Sequence, residues 1–97
     1  MAQNRFRLSA RISSDDPAAI QPVLEQLLGS EGSITPMSDG FDVTAELKGE
    51  SAKDLNRTLL SGLRKVVKKT RMRSEWTSGS TVEKFFDYVL KATKITE

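Results

Sequence analysis

Apolar and polar positions alternate strictly along "RFRLSARIS", with Phe6, Leu8, Ala10 and Ile12 on one face and Arg5, Arg7, Ser9 and Arg11 on the other. A period of two marks a half-buried strand. The next stretch, "SSDDP", offers Asp16 as a helix N-cap with Pro17 at the first helical position. Ile20, Val23, Leu24, Leu27 and Leu28 then recur at helical spacing up to Gly29. Pro22 interrupts this pattern and predicts either a kink or a regular start near Gln21.

The period returns to two after Gly32. Asp39-Gly40 is a hairpin signal between a short strand, Ile34 to Met37, and a longer one, Phe41 to Lys48. Pro36 has no amide to donate, so the short strand belongs at a sheet edge. Ser51 followed by Asp54 opens a second helix with a core stripe of Leu55, Leu59, Leu63, Val66 and Val67. "TRMRSEWT" alternates again and predicts a fourth strand, with Met72, Ser74 and Trp76 opposite Arg71, Arg73 and Glu75.

After "SGS", Ser80 with Glu83 resembles a capping box, and Val82, Phe85, Phe86, Val89 and Leu90 follow at helical spacing. This predicts a third helix, with a frayed tail over 91–97. A hairpin through Ser78-Gly79 into a fifth strand is the alternative. The order β-α-β-β-α-β plus a C-terminal helix predicts one α+β domain over 1–97: a two-layer, four-stranded antiparallel sheet of ferredoxin-like type, strand order 4-1-3-2, with two helices on one face.

Composition narrows the function. Ninety-seven residues, 37% hydrophobic and 29% charged, suit one modest core. The longest apolar runs are two or three residues, too short for a membrane helix. Arginines occupy the N-terminal stretch where a signal peptide needs apolar residues, and cysteine is absent, so a cytoplasmic location is expected. With no His and no Cys, the serine triad, the cysteine dyad, thiolate zinc and the histidine base are all excluded. Asp15-Asp16, the one adjacent carboxylate pair, serves as a cap. The chain reads as non-catalytic, without metal or cofactor.

Charge changes the picture most. Residues 15–50 hold eight acids and one base, whereas residues 51–73 hold eight bases and one acid, inside a net charge of +2. On a helical wheel Lys53, Arg57, Arg64, Lys65 and Lys68 share the arc opposite the leucines, and Arg71 and Arg73 continue it on the next strand. A solvated helix face, and cations offsetting a helix C-terminus, account for part of this. Pairing of Arg7 and Arg11 with Asp42 and Glu46 across the sheet accounts for another part. The remaining excess points to a surface for RNA or another polyanion, contacted through its backbone.

The segment "DGFDVTAELKGESAKDLNRTLLSGLRKV" is similar to the small dimer-forming subunit of the KEOPS complex, which modifies tRNA with threonylcarbamoyladenosine. That family carries a strand of the form g-x-x-V-x-x-E and a helix built around DL…R…L-x-S-x-LR. Asp54, Leu55, Arg57, Leu60, Ser61, Leu63 and Arg64 match the helix, and the resemblance spans residues 5–67. It implies a scaffold that dimerises, holds a kinase-like catalytic subunit within a larger complex and contributes basic residues to tRNA. Two other classes stay open: a small-ligand-sensing regulatory domain, and a structural homodimer through the Phe85/Phe86 helix or an edge strand.

Overall fold

A computed structural model describes residues 4–29 and 32–95. Strand β1 (Asn4–Ser14) leads into helix α1 (Pro17–Leu28), strands β2 (Ser33–Pro36) and β3 (Gly40–Gly49), and helix α2 (Ala52–Arg64). Strands β4 (Thr70–Ser78), β5 (Thr81–Phe86) and β6 (Val89–Ile95) complete the chain. The architecture is α+β. One six-stranded sheet, ordered β2-β3-β1-β4-β5-β6, pairs antiparallel throughout.

Asp16 caps α1 as expected, accepting from the Ala19 amide, and Gly29 ends the helix at φ +73°. The helix begins at Pro17 and runs through Pro22, so the later start does not occur. The first turn buries Ile20 completely, which offsets the hydrogen bond lost at Pro22. Ser51 caps α2 by accepting from the Asp54 amide at 3.1 Å. This helix ends at Arg64, before the valines expected in its stripe; Val66 is exposed and Val67 only partly buried. Leu60 and Asn56 face inward instead.

Both helices cover the face formed by Leu8, Ile12, Val43, Met72 and Trp76, all at most 1% exposed. Register fixes this. Leu8 stands opposite Ala45 on one side and Trp76 on the other, and Ile12 opposite Phe41 and Met72. A slip of one residue would turn every arginine of β1 into the core. Among the described residues no layer covers the opposite face of the sheet: Arg7, Ser9, Arg11 and Arg73 alternate as exposed positions.

The expected C-terminal helix is a β-hairpin, and 91–95, assigned to a frayed tail, belong to β6. The sheet therefore has six strands instead of four. Val82, Phe85, Phe86, Val89 and Leu90 satisfy a helical period, yet as a helix they would leave the backbone of β4 unpaired along its free edge. As β5 they complete that ladder, with Ser74 opposite Phe85 and Thr77 opposite Val82. Gly79 at φ +58° and Asp87 at φ +55° make the two reversals. The apolar helix expected to carry a homodimer is absent. Phe85 is core, and Phe86 lies on the open face beside Arg73.

Gly40 is needed for a reason other than the turn signal. It is the first residue of β3, and a Cβ there would lie 1.7 Å from the Ile12 carbonyl oxygen. The backbones of β1 and β3 meet at this point, so no side-chain adjustment relieves the clash. Gly40→Ala is expected to destabilise the protein by at least about 2 kcal/mol, measured by urea unfolding, whereas Gly79→Asn, at a left-handed position with open space around it, is expected to cost under about 1 kcal/mol.

Candidate nucleic-acid interface

The seven basic residues singled out from sequence are distributed over two sides of the molecule. Asn56 of α2 bonds Ser74 and Trp76 of β4, so the even-numbered side chains of β4 face the helices. Arg71 and Arg73 alternate with them and point from the opposite face. Lys53, Arg57 and Arg64 belong to α2, Lys65 is its C-cap, and Lys68 lies in the loop before β4.

Carboxylates reach part of the stripe. Arg57 pairs with Asp54 at 3.1 Å, one helical turn away and largely exposed. Arg64 is turned inward: its Nε donates to the Thr70 carbonyl at 2.8 Å, and its Nη2 lies 3.5 Å from Asp87 Oδ1. Its guanidinium also sits 5.1 Å from the Tyr88 ring centroid, with Tyr88 in turn hydrogen-bonded to Ser61. Arg64 is thus a structural clasp between α2 and the β5–β6 turn. At the near end of the sheet Arg64, Lys68, Lys69 and Arg71 border one depression together with Asp15 and Asp39, so the cations there are interleaved with acids.

The turn that captures Arg64 is itself tightly held. The Asp87 amide donates to the Met72 carbonyl at 2.7 Å, and its carboxylate takes the Met72 amide at 3.0 Å. Because the side chain replaces the carbonyl in that ladder position, the Asp87 carbonyl is left for Asn56 Nδ2, which donates to it at 2.7 Å. Asn56, 1% exposed, also accepts from Ser74 and from the Trp76 indole N–H at 3.2 Å. No buried side-chain polar atom among the described residues lacks a partner.

The open face of the sheet has a different character. A shallow groove crosses it, bordered by Arg11, Asp42, Arg73, Glu75, Lys84 and Phe86, with Lys91 at its β6 side. Among the described residues three carboxylates occupy this face, and each has a cation: Glu46 holds Arg5 at 3.1 Å, Asp42 holds Arg11 at 3.0 Å, and Glu75 meets Lys84 at 3.7 Å. The hydrogen bond to Asp42 and the Asp42 charge raise the Arg11 pKa above its ordinary value. Arg7, Arg71, Arg73 and Lys91 have no ion-pair partner among the described residues.

Arg73 stands directly opposite Arg11 in the register, a cross-strand pairing of like charges that weakens a sheet. Its guanidinium lies over the Phe86 ring, 5.0 Å from the centroid. Lys91 lies in the segment expected to be a frayed tail, and Phe86 and Lys84 are functional candidates that the helical reading of 80–90 conceals. Read with period two, "TVEKFF" places Val82, Lys84 and Phe86 on one face, which is the signal that finds them.

Among the described residues no group of three or more His, Cys, Asp or Glu is arranged to hold a metal ion, and no helix is long and apolar enough to cross a membrane. No family model matches the chain, and no curated protein or solved structure matches it significantly.

The Asp87 clasp makes a quantitative expectation. Asp87→Ala removes the acceptor for the Met72 amide and the partner of Arg64, and it places a β-carbon residue with no polar anchor at positive φ. The expected cost is about 2–3 kcal/mol in chemical unfolding. Asp87→Asn keeps an acceptor and tolerates the backbone angle, so about half of that loss is expected to return.

Proposed function

We propose that this protein is a non-catalytic nucleic-acid-binding module, with RNA as its polyanion, and that it binds through the open face of the sheet. One observation carries the reading. On that face every carboxylate is already matched to a cation, while Arg7, Arg71, Arg73 and Lys91 have no ion-pair partner among the described residues. Arg73 stands opposite Arg11 in the register, but Arg11 is held by Asp42, and the Arg73 guanidinium lies over Phe86 with no carboxylate on it among the described residues. An unpaired guanidinium of this kind suits phosphate, whose oxygens it takes in bidentate fashion.

The helix side supports the same function less well. Arg57 is matched by Asp54, and Arg64 is committed to Thr70, Asp87 and Tyr88. Lys53 and Lys65 remain at the two ends of the helix, and Lys68 borders the depression it shares with Asp15 and Asp39. The resemblance of residues 5–67 to the small dimer-forming KEOPS subunit implies an accessory role of the same kind, contributing basic residues to tRNA inside a larger complex.

Backbone-directed binding has a characteristic salt dependence. Four phosphate contacts to a single strand predict a log–log slope near −2.8, or about a 50-fold loss of affinity between about 50 and 200 mM salt. Fluorescence anisotropy with a labelled RNA oligonucleotide reads this directly. Replacing Arg7, Arg71 and Arg73 together with Ala should flatten the slope by about 2, whereas Lys53→Ala with Lys65→Ala should change affinity by no more than about twofold. Absence of binding at low salt, or equal losses in both variants, contradicts the proposal.

A further inference from the structure

We infer that the ligand of the open face is a single strand, one of whose unpaired bases stacks on the platform formed by Arg73 and Phe86; this rests on the reading above and adds the form of nucleic acid it takes. The central strands present no aromatic outward: Arg7, Ser9 and Arg11 of β1 face Asp42, Thr44 and Glu46 of β3. Because residues 81–86 form a strand, they add one aromatic. Phe86 lies opposite Arg73 in the β4–β5 ladder, and the guanidinium covers its ring at 5.0 Å.

A guanidinium plane backed by an aromatic ring is a two-layer stacking surface, and both components stack on nucleobases. Such a surface is of no use to a duplex, whose bases are already stacked and paired. It becomes useful when the base is free to leave its neighbours.

The cations around this platform suit a chain passing over it. Arg71 precedes Arg73 on the same face of β4, Arg7 projects from β1, and Lys91 projects from β6. From β1 across β4 and β5 to β6 there are three inter-strand steps, ~14 Å. Phosphates on either side of a stacked base therefore find unpaired cations on both flanks. Arg11 is fixed by Asp42, so it contributes field without moving. The carboxylates nearest the platform, Asp42 and Glu75, are occupied by Arg11 and Lys84. An acidic peptide would use the same cations but would gain nothing from a stacking platform.

The test compares three ligands on the full chain by anisotropy at low salt: a labelled oligouridylate, a duplex RNA of the same length, and the oligouridylate challenged with inorganic polyphosphate. Preference for the single strand by about tenfold or more is expected, with polyphosphate a poor competitor at matched charge. Phe86→Leu keeps apolar volume but removes the π face, and should weaken single-strand binding by about fivefold or more while leaving duplex binding unchanged. Phe86→Trp should retain affinity and report stacking as quenching of the new indole, a readout that does not depend on the Leu variant folding. Equal affinity for single strand and duplex overturns the inference. So does a Phe86→Leu variant that folds and binds normally, or an unquenched Phe86→Trp complex. In each of those cases charge-driven binding survives. Failure of both nucleic acids to bind would instead remove the reading on which the inference stands.

Discussion

Much of the structure depends on the carboxylate of Asp87. Standing in left-handed backbone at the tip of the last hairpin, it takes the Met72 amide in place of its own carbonyl, and so frees that carbonyl for Asn56. One residue thereby ties the hairpin to β4 and to the buried face of α2. Asn56 extends the tie inward to Ser74 and the Trp76 indole. Every polar atom in this network has a partner, which is the condition under which a buried polar network specifies a fold instead of weakening it. Without it, β5 and β6 would be a two-stranded extension with little over them, and such ribbons are marginal alone.

This constraint also decides which cations are available. Because Asp87 sits beneath the end of α2, Arg64 folds back to it and to Tyr88, and the basic stripe of the helix loses its central member. The same hairpin carries Phe86, Lys84 and Lys91 onto the other side of the sheet, where Arg71 and Arg73 already point. The molecule therefore has a helical side whose charges are partly internal and a sheet side whose surplus charge is open. Its two sheet edges carry features that resist further pairing. β2 is four residues long and ends on Pro36, and β6 bears Lys91, Lys94 and a register shift opposite Lys84/Phe85.

Strands β1, β3 and β4 and both helices were legible because their patterns are governed by one rule each: strict alternation, or an apolar stripe behind a capping residue. The four-strand order followed from Pro36 at an edge and from short, right-handed connections. The segment after Gly79 was harder, since Val82, Phe85, Phe86, Val89 and Leu90 fit a helical stripe, and a helical period cannot register the unpaired edge of β4. Asp87-Tyr88 carries no glycine to mark the second reversal, since its left-handed residue is Asp. The site was legible as a surplus of cations but not as a place. A helical wheel cannot show that Arg64 bends back to a turn twenty-three residues later, nor that alternation sends Arg71 and Arg73 to the far side of the sheet from the helix they follow.

The helical side turns Arg64 inward, whereas the sheet side keeps Arg7, Arg73 and Lys91 without an ion-pair partner among the described residues. Amide chemical-shift mapping during titration with single-stranded RNA distinguishes them residue by residue. Binding through the open face concentrates the shifts on 7–11, 71–75, 84–86 and 91 and leaves α1 and α2 essentially unmoved. Shifts centred on 53–65, or none at all at low ionic strength, would contradict it.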